Sequence, residues 1–240
     1  MADRADDKVD GVYNLARAEG RFGPRQADQG VKVMLEKLKE RRGLVLKVKA
    51  ALRAIGYDPT YWTRVVMYEE CFKLVEGLKP AELDVLEIGS GDHWRSRFAF
   101  KSYTPFDYPT YDICKECLDR QFDLVICDNV FEHLRYPQRA AANVYKMLRP
   151  GGHFLNITPF LIRIHHVPID CTRWTELGMS YFLEDHGFAI RTTGAWGNKG
   201  VVRAALNHLA VRRGFFGSLR NEEQLPVAIW VLAAKPQSAQ

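Results

Sequence analysis

The stretch "LDVLEIGSGDHWRSRF", from Leu83 to Phe98, limits what this chain can become more than any other part of it. Val85, Leu86 and Ile88 have the apolar density of a buried parallel strand. Gly89 and Gly91 then permit a tight turn with no Cβ in the way. Glu87 stands at the lip of that turn, where it is poorly placed for packing and well placed to accept hydrogen bonds from a ligand. Its competing role is to partner the start of the helix that follows.

Beyond this point strands and helices alternate. Phe106 to Pro109 closes a second strand after a short connection, and Phe122 to Val130 reads as a central one. "RAAANVYKMLRPGG" reads as a helix stopped by Pro150-Gly151-Gly152, and "HFLNITPF" as the next strand. "TELGMSYFLEDHG" predicts a helix with Thr175 as N-cap and Gly187 just past its end. "FAIRTTGAW" and "PVAIWVLAAKP" finish as strands, with a helical piece from Val201 to Val211 between them. Such alternation predicts an α/β fold with a parallel sheet covered on both faces. Ligands of such sheets bind beyond the carboxyl ends of the strands, at the switch point. Glu87, Gly89, Gly91, Asp107, Asp128 and Asn129 all fall at predicted carboxyl ends.

A nucleoside ligand needs an acid near the end of the second strand for its ribose hydroxyls. Asp107 lies about 20 residues beyond Glu87, close to the spacing expected of that acid. The alternative is that Asp107 simply starts the turn at Tyr108-Pro109. Trp94 occupies the place of the third glycine in the dinucleotide fingerprint, so a nucleoside without a pyrophosphate fits better. Trp94, Trp174 and Trp196 are read as core.

The chain has 240 residues, enough for one α/β domain with an appendage. Residues 1–60 are read as an N-terminal arm and helical cap, with Val31, Met34, Leu35 and Leu38 on one helical face; residues 61–240 are read as the main domain. Five cysteines without a disulfide-framework spacing favour a reducing cytoplasm. Cys114 and Cys117 form a lone CxxC without a second pair, and no metal site is predicted. No apolar run reaches the length of a membrane span, and the opening residues lack the apolar core of a signal peptide. The net charge of +5 gathers in Lys37 to Arg53 and in Val211 to Arg220. These read as solvated faces of basic helices, with weak contact to an anionic membrane surface as the sharper alternative. No nucleic-acid-binding signature accompanies the charge, so no nucleic-acid partner is expected.

Taken in order, "VLEIGSG", "DYP", "FDLVICDNVFEHLRYP" and "MLRPGGHFLNITPF" resemble a class I S-adenosylmethionine-dependent methyltransferase of the type-11-like subgroup with a short first crossover. The run "HHVPIDCTRWTELGMSYFLEDHGF" is similar to the segment after the fifth strand of bacterial members associated with glycan or surface-sugar modification. The resemblance covers about half the chain, from Leu83 to Phe188. It implies a Rossmann-like sheet of seven strands with an antiparallel last strand, and S-adenosylmethionine as cofactor. It implies that Glu87, Gly89 and Gly91 lie under the methionine part and that Asp107 accepts the ribose hydroxyls. Asp112 is then the candidate for the adenine edge. Asp128, Asn129 and Phe131 would flank the methyl group, and His133 would pack under the cofactor. His93 stands where many members carry a further glycine, so the first helix must begin differently here.

The segment "IRIHHVPIDCTRW" offers His165, His166, Asp170 and Arg173 in one connection. An alcohol acceptor benefits from a base that takes its proton, and an imidazole suits neutral pH. An Asp-His pair would make an oriented base, with Arg173 fixing an acceptor carboxylate or hydroxyl. One competing reading is that Asp170 and Arg173 pair to pin the loop; another is a divalent metal held by His165, His166 and Asp170. The function expected is O-methylation of a sugar, glycan or other small hydroxylated acceptor. The alternatives are a non-catalytic S-adenosylmethionine-binding partner subunit and, in another class, a nicotinamide oxidoreductase.

Overall fold

The computed structural model describes residues 47–237 apart from 49, 90, 92 and 167. The expected arm, and most of the expected cap and of the basic cluster from Lys37 to Arg53, lie outside the described residues. The chain divides into two compact units, Met1–Pro59 and Thr60–Gln240. In the first, residues 50–54 are helical, and the helix stops at Gly56, whose φ of 83° is closed to most side chains.

The second unit is built on a six-stranded sheet. In chain order its elements are helix α1 (Val65–Gly77), strand β2 (Asp84–Ile88), the short helix α2 (His93–Arg97), β3 (Ser102–Phe106), β4 (Phe122–Asp128), α3 (Pro137–Met147), β5 (Leu148–Pro159), α4 (Glu176–Asp185), β6 (Ala189–Trp196), α5 (Lys199–Asn207), β7 (Arg212–Gly214) and β8 (Ala228–Ala234). A short strand β1 (Asp58–Tyr61), whose last two residues belong to this unit, pairs with β7 outside the main sheet. The main sheet runs β3-β2-β4-β5-β8-β6. β2 is parallel to β3 and to β4, and β4 to β5. β8 alone runs antiparallel, between β5 and β6. The α/β class and the antiparallel last strand are therefore as expected.

The strand count differs from the seven expected. Between β3 and β4 the chain has only residues 107–121, and these fold into turns: Tyr111 N–H donates to the Asp107 carbonyl, and Lys115 and Glu116 N–H donate to the Asp112 carbonyl. One crossover between parallel strands already takes a dozen residues or more, so a further strand with a second crossover does not fit. β3 is thus the edge.

Period-two patterning sorts the sheet's apolar side chains into two cores, one on each face. Leu86, Val125, Cys127, Phe154, Ile229, Val231 and Ala233 pack on one side. Val85, Leu124, Ile126, Leu155, Trp230 and Leu232 pack on the other. α3 starts with Pro137 at its first turn and turns Ala140, Ala141, Val144 and Met147 inward. α4 is capped as expected, with Thr175 Oγ1 accepting from Gly178 N–H at 3.0 Å. Gly187 follows it at φ 87°.

One expectation is corrected. Residues 211–220 are not a basic helix: Gly214 has a φ of 66°, and Gly217 N–H donates to the Arg213 carbonyl, closing a turn after β7. Two glycines within four residues make helix too costly there. Phe215 and Phe216 are exposed at the tip.

Candidate active site

The chain leaves β2 for the outer strand β3 and returns to β4 on β2's other side, so a switch point lies between β2 and β4. At the carboxyl end of β2 Glu87 is buried. Gly89 follows at φ 106°, and a Cβ there would stand 2.9 Å from the Asp128 carbonyl oxygen and 3.1 Å from Val130 Cγ2. Only glycine lets the turn pass so close to the end of β4. Gly89 N–H donates to the Phe106 carbonyl at 3.0 Å, which draws the turn against the end of β3. Gly91 comes next, and a Cβ on it would lie 3.8 Å from Glu87 Oε1. The same Cβ would stand 3.1 Å from His93 Cδ2, so a side chain here would fill the space between the Glu87 carboxylate and the His93 ring.

Asp107 is exposed just beyond β3. Its Oδ1 accepts Tyr108 N–H at 2.8 Å, and Thr110 Oγ1 donates to its carbonyl at 2.6 Å. The turn role weighed for this residue is therefore real, and it occupies one carboxylate oxygen. Asp112 is engaged locally: Oδ1 accepts Cys114 N–H at 3.0 Å and Oδ2 pairs with Lys115 Nζ at 3.0 Å.

Asp128, at the carboxyl end of β4, holds three donors. Tyr68 Oη at 2.8 Å and Trp94 Nε1 at 3.1 Å donate to Oδ2, and Asn129 Nδ2 donates to Oδ1 at 2.7 Å. One carboxylate thereby ties α1 and α2 to the sheet. Burial, with Asp128 next, pushes the Tyr68 phenol well above its ordinary pKa, so it stays a donor. Asn129 takes a left-handed φ of 55°, and its N–H donates to the Ile157 carbonyl at 2.9 Å. Phe131 is core.

A second cluster forms where the turn Phe131–His133 meets the connection after β5. Glu132 is fully buried. Its Oε2 accepts the Thr158 hydroxyl at 3.3 Å. Its Oε1 has no hydrogen-bond partner among the described residues. Burial pushes its pKa up to about 8, and the neighbouring charge of Asp128 adds to this. His133 Nδ1–H donates to the Ile169 carbonyl, while its Nε2 lies 3.6 Å from Glu132 Oε1. The His165 ring meets the His133 ring edge to face, centroids 4.8 Å apart. Burial lowers the pKa of both imidazoles, and for His165 the proximity of His133 lowers it further. Both are neutral at pH 7.

Backbone bonds fasten the connection carrying His165. Cys171 and Thr172 N–H both donate to the Glu132 carbonyl, and Thr172 Oγ1 donates to the Phe131 carbonyl. Arg173 grips Asp170 with both terminal nitrogens, Nη2 to Oδ2 at 2.6 Å. The same Oδ2 accepts His165 N–H at 2.7 Å. Burial works to raise the Asp170 pKa, but Arg173 and the His165 N–H outweigh it and hold the carboxyl at about 2. Asp170 thus positions the backbone of His165 and does not orient an imidazole. His166 is exposed.

Sequence reasoning missed Glu132, Tyr68 and Arg64. Glu132 stood in plain view beside His133, but nothing in the sequence marked it as buried. Tyr68, inside α1, carries no motif that would mark it. Arg64 lies among Tyr68, Asp128, Tyr61 and Glu132; burial works against its charge, and these groups outweigh that and raise its pKa.

A methyltransferase-domain family model matches residues 24–192, well over half of the chain. The chain belongs to that family, and it is an S-adenosylmethionine-dependent methyltransferase. Among solved structures it is similar to an S-adenosylmethionine-dependent methyltransferase from Mesorhizobium loti, at 15% identity and a TM-score of 0.45, covering 68% of this chain and 96% of that one. It is also similar to magnesium protoporphyrin IX methyltransferase from Synechocystis PCC 6803 with bound SAH, at 11% identity and a TM-score of 0.44, over 72% and 84% of the two chains. A third is Haemonchus contortus phosphoethanolamine N-methyltransferase 2 in complex with S-adenosyl-L-methionine, at 13% identity and a TM-score of 0.48, over 70% and 53%. No curated protein matches. The family assignment rests on the family match.

Proposed function

We propose that this methyltransferase acts on an oxygen of a sugar, a glycan or another small hydroxylated acceptor. The observation that carries the reading is His165: a half-buried, neutral imidazole in the connection after β5, held through its backbone by Asp170 and set against His133. A neutral imidazole cluster at the carboxyl ends of the strands suits an acceptor that must lose a proton.

The residues present fit S-adenosylmethionine. The glycine turn at Gly89 and Gly91 leaves space beside the Glu87 carboxylate, and Asp107 keeps a carboxylate oxygen beyond its own turn for ribose hydroxyls. Asp112, already paired with Lys115, would offer the adenine edge its outer face. Asp128, Asn129 and His133 line the far side. Bound there, the cofactor supplies an electrophilic methyl group. The chain's part is to align the acceptor, exclude water and receive the hydroxyl proton at the His165 cluster. Arg173 and Asp170 position that cluster, and exposed His166 stands at its entrance.

In this reading residues 61–240 form the methyltransferase domain and residues 1–60 an arm and helical cap. All five cysteines are free, which supports a reducing compartment such as a bacterial cytoplasm. No helix of the described residues is long and apolar enough to cross a membrane.

The test is calorimetry with S-adenosylhomocysteine and with NAD, followed by turnover of labelled methyl donor on an array of sugars and glycans. Binding of the first ligand with methylation of a hydroxyl supports the reading. Methylation confined to amines or carbon would overturn it, and so would NAD binding alone.

A further inference from the structure

We propose that Glu132, His133 and His165 form a binding site for one divalent cation of the borderline class, such as zinc, iron(II) or cobalt. One oxygen and two nitrogens of these side chains all lie within 4.8 Å of one another. In a tetrahedral site with bonds near 2.1 Å, donors stand about 3.4 Å apart. The Glu132 Oε1 to His133 Nε2 separation is already 3.6 Å. Closing the set from 4.8 Å takes a shift of about 1.4 Å, within reach of the half-buried His165 ring.

Three further observations point to a cation. Glu132 is fully buried, and its Oε1 faces the cluster with no hydrogen-bond partner among the described residues. A buried carboxyl oxygen without a hydrogen-bond partner is costly, and a proton or, in its place, a metal cation can meet it. Next, a carbonyl can only accept, so the Ile169 carbonyl fixes the His133 proton on Nδ1 and leaves the Nε2 lone pair turned towards Glu132. Ligating histidines are oriented this way, with the other ring nitrogen donating to a backbone carbonyl or a carboxylate. Finally, the Glu132 carbonyl takes Cys171 and Thr172 N–H while Asp170 takes His165 N–H, so the loop carrying the third ligand is fastened to the turn carrying the first two. Two imidazoles and one carboxylate select borderline metals over magnesium or calcium, and three protein ligands leave positions open for an oxygen of the acceptor.

The site does not depend on the acceptor proposed above; with an ion bound, His133 and His165 would serve as ligands and not as bases, and the ion would take over acidifying the acceptor hydroxyl. An ion bound there without any methyl turnover would count against that reading and leave this one standing. The test uses the full chain, stripped with a chelator and titrated with cobalt(II), read by visible absorption and calorimetry. One cobalt per chain is expected. Glu132→Gln and His165→Ala should each weaken it by at least about a hundredfold, the upper end of what loss of an outer-shell partner costs. His166→Ala should leave it unchanged. S-adenosylhomocysteine affinity, measured on the same preparations, reports that each variant is folded; should Glu132→Gln fail that control, His165→Ala decides. Absence of stoichiometric cobalt binding would overturn the proposal. So would binding that survives His165→Ala, or that is lost only in His166→Ala.

Discussion

Asp84 opens β2 at the amino end of the sheet, and Glu132 follows β4 at the carboxyl end. Both carboxylates are buried, in opposite surroundings. Asp84 receives Ser102 Oγ at 2.7 Å, Arg149 Nη2 at 3.0 Å and Lys101 Nζ at 3.3 Å, and Arg149 also pairs with Asp123 at 2.7 Å. Glu132 receives one hydroxyl and has one oxygen without a partner. The Ser102 hydroxyl leads in holding the Asp84 pKa at about 2, whereas burial drives that of Glu132 to about 8. One end of the sheet spends its charges on stability. The other keeps a buried carboxyl oxygen without a partner among the described residues, and departures of that kind gather at functional sites.

The contrast predicts that substitutions at the carboxyl end act on ligand binding and those at the amino end on folding, with Gly89 as the one place that does both. Gly89→Ala places a Cβ 2.9 Å from the Asp128 carbonyl oxygen at a φ of 106°. Backbone strain and overlap together should cost about 3 kcal/mol of stability. S-adenosylhomocysteine affinity should fall with it, because relief of the overlap moves the turn away from Glu87. Urea denaturation and calorimetry check both. A variant as stable as the parent would show that the turn is free to move.

How much of this was legible in the sequence follows from the same contrast. Gly89 and Gly91 could be read because only glycine tolerates their backbone, and a strand running into such a turn has few other uses. The order of β2 to β5 could be read from apolar runs. The six-strand count could not, because the family pattern implies seven and the missing strand is an absence between Asp107 and Gln121. The loop after β5 was read for its residue types, and the Asp170–Arg173 pair was one of the readings it offered, but the neighbours of His165 were not legible. Arg173 takes the Asp170 carboxylate, while His165 finds its neighbours in Glu132 and His133, some thirty residues upstream. Sequence spacing carries no trace of a contact made across β5.

Asp107→Ala is next in size. It should weaken S-adenosylhomocysteine binding roughly ten- to a hundredfold, the value of a hydrogen bond from a hydroxyl to a charged acceptor. Melting temperature should barely change, since the residue is exposed. Asp107→Asn separates the two duties of the side chain: its amide oxygen still accepts Tyr108 N–H, so the turn survives, while the charge is lost. An Asn variant that binds as tightly as the parent would reduce Asp107 to a turn residue and end its part in the comparison.

Asp84→Asn should have the smallest effect and the opposite pattern. The Lys101 and Arg149 side chains are 59% and 38% exposed, so water screens their pairing with Asp84. A cost of about 1 kcal/mol is expected, close to the upper range for such pairs, with cofactor affinity unchanged. The pH dependence identifies the cause. Asp84 titrates at about 2 in the folded chain against an ordinary value of 3.8, so the folded state holds its proton less tightly than the unfolded state does. Its contribution is complete above a pH of about 4 and is lost as the pH falls through about 2. The stability gap between parent and Asp84→Asn should therefore be flat from pH 5 to pH 7, to the nearest few tenths of a kcal/mol, and close below about pH 4. Denaturant titrations of both proteins across that range measure it. A gap that persists undiminished at about pH 2 would mean that shape, and not charge, makes Asp84 useful. A gap accompanied by lost cofactor affinity would mean that the two ends of the sheet are not independent.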